Sequence, residues 1–180
     1  MKNIFRIIFS LLLFASCNYA SNRKDQPVVY QKNGLSFLLP NKYWKVKKAR
    51  TVEGAKGTRI ISLENDEPLS KDAFVILTQI NKDLNLNSFL ETTIRSCRSS
   101  YQQRKITFGL LDTARNIKIG NKAVLRVGFQ TSIIANRNIG SITLFKLNGK
   151  TYSFIFSGEA IEARLHQKLL DSMISSFKAN

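Results

Sequence analysis

The sequence predicts an α+β fold, an antiparallel β-sheet of about six or seven strands with helices packed on it. Short segments of alternating apolar and polar residues follow one another through tight turns, and two of those turns, Asn33-Gly34 and Asn148-Gly149, suit type I′ hairpins. Two longer segments instead place their apolar residues at helical spacing. The length of 180 residues provides for one domain with a proper core rather than for two.

Val28 to Tyr30 and Leu35 to Leu39 read as strands joined at Asn33-Gly34, with Pro40 ending the second. In "KYWKVKKA" the alternation points Trp44 and Val46 inward and leaves Lys45 and Lys47 as a lysine ladder in solvent. "TRIISLEN" and "AFVILTQI" follow as strands across the acidic turn Asn65-Asp66-Glu67-Pro68, a β-meander pattern. A helix is expected from about Asn87, its N-cap, to Arg104, with Leu90, Ile94, Cys97 and Tyr101 on its buried stripe.

Strands then resume at Thr107 to Leu111, Asn116 to Ile119, Ala123 to Ile134, Ser141 to Leu147 and Thr151 to Phe156, with a turn at Gly120-Asn121 and a polar loop at Asn136 to Asn138. The last helix opens after Gly158, with Glu159 and Glu162 favourably placed for the helix dipole. Ile161, Leu165, Leu169, Met173 and Phe177 recur at i, i+4 and predict its docked face.

Ahead of this domain the chain has a different character. Lys2 and Arg6 give a positive start, and Ile7 to Ala15 form an apolar run of the length of a secretory h-region, well short of the ~20 residues that a spanning helix needs. "FASC", Phe14 to Cys17, resembles the lipobox of bacterial lipoproteins, although Phe14 stands where leucine is usual. The resemblance implies cleavage before Cys17 and diacylglyceryl attachment to its thiol; a plain signal peptide with an incidental cysteine is the alternative. Two or more acyl chains, at ~0.8 kcal/mol per buried CH₂, hold a domain on a membrane where one chain is marginal.

The expected organisation is therefore a lipoprotein signal at 1–16, the lipidated Cys17 and a tether at 17–27, and the folded domain at 28–180. Cys97 is the other cysteine, so acylation of Cys17 leaves a lone thiol and no disulfide.

"GLSFLLPNKYWKV" resembles the opening of PsbP-like domains, where a short strand ends in proline and a tryptophan follows. "LNGKTYSFIFSGEA", with a closing helix ending in "MISSF", is similar to that family's last hairpin and helix. The resemblance spans about residues 28 to 178 and implies an αβα sandwich around an antiparallel sheet. The family has no shared catalytic residues to carry over, and its relatives of the DcrB kind include chaperone-like binders of secreted proteins.

No catalytic residue, cofactor or metal site is expected. Glycine-rich phosphate loops, G-x-S-x-G and zinc-ligand spacings are absent from the sequence. His166 follows Glu162 by four residues and Glu159 by seven, and reads as part of a solvated helix face rather than as a ligand set. Glu64, Asp66 and Glu67 read as a solvated turn, and Cys97 as core.

Positive charge is the strongest signal beyond the fold. Lys and Arg outnumber Asp and Glu by 28 to 12, a formal charge of +16, which loss of Lys2 and Arg6 with the leader lowers to +14. Lys45, Lys47, Arg95, Arg98 and Lys105 form the candidate basic binding surface. The expected partners are the membrane, through the anchor, and another envelope protein or an anionic envelope component; nucleic acid is not the expected partner.

These readings converge on an exported, membrane-anchored envelope lipoprotein acting as a non-catalytic binding or accessory module, chaperone-like in one form. Two alternatives remain: an enzyme acting on an envelope polymer through Glu159, Glu162 or His166, and a surface immunity or inhibitor protein.

Overall fold

Asn33 and Gly34, with φ of 51° and 75°, and Asn148 and Gly149, with 51° and 68°, occupy the left-handed region that a two-residue type I′ hairpin needs. These turns fix two of the registers of an extensive antiparallel framework. A computed structural model describes residues 28–52, 57–67, 73–134 and 136–179; the expected leader, Cys17 and the whole of the tether lie outside the described residues, as does Pro68.

The described residues form eleven strands in two sheets and two α-helices. A small sheet holds β1 (Val29–Lys32), β2 (Leu35–Leu38) and β11 (Lys178–Ala179). The large antiparallel sheet runs in the order β3-β4-β5-β10-β9-β8-β6, with β7 also pairing to β8. Its strands are β3 (Trp44–Thr51), β4 (Thr58–Asn65), β5 (Phe74–Ile80), β6 (Thr107–Leu110), β7 (Arg115–Ile119), β8 (Lys122–Ile133), β9 (Asn136–Leu147) and β10 (Lys150–Glu159). The helices are α1 (Leu86–Gln103) and α2 (Ala163–Ser176).

Side chains alternate across the sheet, so each face is covered by a different helix. Leu125, Val127, Phe129, Ile142 and Leu144 pack beneath α1 with its Leu90, Ile94, Cys97 and Tyr101. Phe145, Tyr152, Phe154, Phe156, Leu63 and Leu77 pack on the other face against Leu170, Met173, Ile174 and Phe177, and the small sheet adds Leu35 and Phe37. This is the αβα sandwich. β10 lies mid-sheet and is buried along nearly its whole length, which explains its dense run of aromatic residues.

Several local expectations change. Asn85, not Asn87, caps α1: its Oδ1 accepts from the backbone N–H groups of Asn87 and Ser88 at 3.0 and 3.1 Å. The expected polar loop at 136–138 begins β9, and the strand expected to stop at Phe156 continues to Glu159, followed by a 3₁₀ turn at Ala160–Glu162 before α2.

The docked face of α2 is also rotated from the expected stripe. His166, Leu170, Met173 and Ile174 are buried, whereas Ile161 is 91 % and Leu165 57 % exposed. A strict i, i+4 series drifts by about 40° per step around an α-helix, so residues sixteen apart cannot share one face. His166 is thus core, not a solvated helix face.

Candidate functional site

The end of the large sheet where β4 leads into β5 and β8 into β9 meets the C-terminus of α1 around a cavity of about 630 Å³. The last turn of α1 supplies Tyr101, and the residue that caps it supplies Arg104. Arg104 ends the helix, its N–H donating to the carbonyl of Tyr101 at 3.0 Å, and Lys105, with φ of 59°, turns the chain so that Ile106 lines the cavity before β6 begins. β4 contributes Glu64 and Asn65, β5 Phe74, β8 Thr131 and Ser132, β9 Asn136 and Asn138, and β10 Ser157.

Its walls combine hydroxyls and carboxamides with a short apolar stretch. The Asn65 side chain turns back on its own loop, Oδ1 accepting from the Glu67 N–H at 3.1 Å, while its buried Nδ2 has no hydrogen-bond partner among the described residues. Tyr101 stacks on Phe108 at 5.7 Å and lies 6.4 Å from Phe129. Burial pushes its phenol pKa up, and the neighbouring Cys97 adds to that. Arg104 is exposed and forms no ion pair with a described residue.

The five candidate basic residues do not form one patch. Lys45 and Lys47 extend from edge strand β3, and both reach Asp66, at 3.2 and 2.8 Å. The Asp66 carboxyl is held below its usual range by hydrogen bonds from Lys47 and then Lys45, and the Lys47 ammonium is held above its usual value mainly by the same bond. Arg95 and Arg98 stand exposed on α1, and Arg98 and Lys105 border a hollow of about 530 Å³ beside Phe108, toward the β6 edge. The two groups lie toward opposite edges of the sheet.

The residues singled out for acid–base chemistry lie elsewhere. His166 Nε2 is 2.8 Å from Glu162 Oε2, and its ring is packed between Phe156, at 5.8 Å, and Trp44, at 6.2 Å. Neither these two groups nor Glu159 lines the end cavity. Among the described residues, no three His, Cys, Asp or Glu side chains gather as a metal site. Cys97 is partly buried on the inner face of α1, and burial raises its thiol pKa to about 11, far from a reactive nucleophile.

No protein-family model matches the chain, and no curated protein matches it. Solved structures do. Cyanobacterial PsbP (CyanoP) from Synechocystis sp. PCC 6803 superimposes with a TM-score of 0.59 at 16% identity, covering 92% of this chain and 98% of that one. A protein from Bacteroides thetaiotaomicron gives 0.54 at 13% identity over 86% of this chain, which spans 49% of that protein. The Ran-binding protein Mog1p of Saccharomyces cerevisiae gives 0.51 at 10% identity over 85% and 96%. The chain therefore has the PsbP-like fold, in agreement with the resemblance carried by its first strands and last hairpin.

Proposed function

We propose that this chain is an exported lipoprotein, anchored to an envelope membrane through Cys17, whose PsbP-like domain is a non-catalytic binding and accessory module for another envelope protein or an anionic envelope component. The observation that carries the reading is the burial of His166. Its imidazole fills space between Phe156 and Trp44, with Glu162 beside it, so the side chain best suited to acid–base chemistry near neutral pH serves as packing. The fold adds support, because one protein that shares it, Mog1p, is a Ran-binding protein.

The anchor supports the envelope location. Among the described residues no helix is long and apolar enough to cross a membrane, whereas a leader ending in Phe14-Ala15-Ser16-Cys17 provides for attachment by acylation. Arg95, Arg98 and Lys105, exposed and in no ion pair among the described residues, then offer cations to an acidic partner, and each cation held close to an anionic surface contributes about 1 kcal/mol.

The test has two arms in the native organism. Cys17→Ser is expected to move the protein out of the membrane fraction, and mass spectrometry of the wild type to find an acylated Cys17 at the mature amino terminus; an unprocessed, unmodified terminus overturns the anchor. Cross-linking in intact envelopes, repeated with Arg95, Arg98 and Lys105 changed to Glu, is expected to lose a discrete adduct. Turnover of an envelope polymer by the purified protein overturns the non-catalytic role.

A further inference from the structure

We infer that the cavity at the end of the sheet binds a sugar unit that carries a carboxylate. This goes beyond the accessory role, since it names a small ligand and a place for it. The cavity's volume of about 630 Å³ lies within the range of small-molecule sites and would hold one or two pyranose rings.

The lining selects the chemistry. Asn65 is only 9 % exposed, and its Nδ2, buried in the cavity wall, donates to no described group; a small turn of the carboxamide would let a polar ligand accept from it, which an acyl chain could not do. Thr131 and Asn138 add hydroxyl and carboxamide groups, which suit a ligand rich in hydroxyls, and the half-buried Phe74 gives the C–H face of a ring an apolar wall. Arg104 faces the same space and pairs with no carboxylate among the described residues, and a planar guanidinium is well matched to a ligand carboxylate. Glu64 on the wall disfavours a doubly charged phosphate more than a singly charged carboxylate and can accept from sugar hydroxyls.

The experiment titrates the full-length protein, solubilised in a neutral detergent, with digalacturonate and observes the ligand by saturation-transfer NMR. Neutral digalactose and the peptide triglutamate serve as competitors. Digalacturonate is expected to bind, and Arg104→Gln, a change at an exposed position, to weaken it by roughly tenfold, as loss of a charge-assisted hydrogen bond implies, and to weaken the already weaker digalactose binding by a much smaller factor. Asn138→Ala should weaken both sugars. No saturation transfer at 10 mM ligand, as an order of magnitude for weak small-ligand affinity, overturns the inference. So does equal binding by wild type and Arg104→Gln, or displacement by triglutamate at lower concentration than by the sugar. None of these outcomes bears on the anchor, which membrane fractionation reads separately.

Discussion

Arg126, in the interior of β8, reaches Asp171 of α2 at 2.6 Å while its Nε donates to the Thr143 hydroxyl on β9 at 2.8 Å. One guanidinium therefore ties two neighbouring strands to the helix that covers them. Its side chain is 14 % exposed against 39 % for Asp171, so this pair is sheltered on one side and open on the other. Asp171→Ala leaves a largely buried cation without its carboxylate, and the cost should fall below the 3–5 kcal/mol of a fully buried pair, at about 1–3 kcal/mol. Thermal or urea unfolding measures it, and Asp171→Asn, which keeps an acceptor, should lose less.

Gly140 offers a sharper steric test. A Cβ there would overlap both the carbonyl oxygen of Phe156 and the ring of Phe129, and Phe129 is completely buried. Neither backbone nor ring has room to move, so Gly140→Ala should destabilise by about 3 kcal/mol or more, at the upper end of overpacking costs. Gly149→Ala is the contrast: its added methyl meets nothing within 4 Å, and only the left-handed φ of 68° opposes it. A loss of about 1 kcal/mol is expected there, and urea midpoints for the two variants should rank accordingly.

These two glycines also show how the sequence was and was not informative. Gly149 declares its role through Asn148, because the pair needs φ > 0 and the strands on either side are apolar. Gly140 is silent: its constraint comes from Phe129 and Phe156, which only sheet pairing brings near. The same distinction holds for larger features. β4 was legible to the residue as "TRIISLEN", and the stripe of α1 followed from its own spacing. The end cavity draws on five strands, the end of α1 and the start of the chain leading to β6, so no local pattern could announce it. Nor could spacing show that Asp66 would clasp two lysines from across the β3–β4 pair.

Cys97 should be slow to alkylate. With its pKa raised to about 11 from 9.0 by burial, the thiolate is scarcer at pH 8 by roughly 100-fold than in the unfolded chain. Iodoacetamide labelling of the Cys17→Ser protein, native against urea-unfolded, measures the ratio. The folded state holds this proton more tightly, so its contribution to stability is intact below about pH 9 and is lost as the pH rises toward 11. Equal native and unfolded rates at pH 8 would show the thiol to be open to solvent.

Asp66 works in the opposite direction. Its lowered pKa gives a stabilising contribution that is present above the usual carboxylate value of 3.8 and is lost as the pH falls through the depressed folded value. A carboxyl-carbon NMR titration should place its midpoint below 3.8. Asp66→Asn should change stability little, since the pair is solvated, but it releases Lys45 and Lys47 and should strengthen binding to vesicles of anionic lipid, measured by sedimentation at low salt.

Among the described residues β3 ends the large sheet with one side unpaired, and its sequence is Trp44-Lys45-Val46-Lys47-Lys48-Ala49-Arg50-Thr51, with its pairing shifted between Val46 and Lys48. An open strand flank is a template on which a second molecule can zip itself, and the strands further in, such as "FVILTQI", are the kind of segment that fibrils recruit. Repulsion between like-charged flanks and the break in hydrogen-bond spacing keep two such borders apart. Protein crowded onto a lipid surface meets its own copies at high local density, and there this strand would act as a guard against fibrillar assembly as much as a handle for acidic partners.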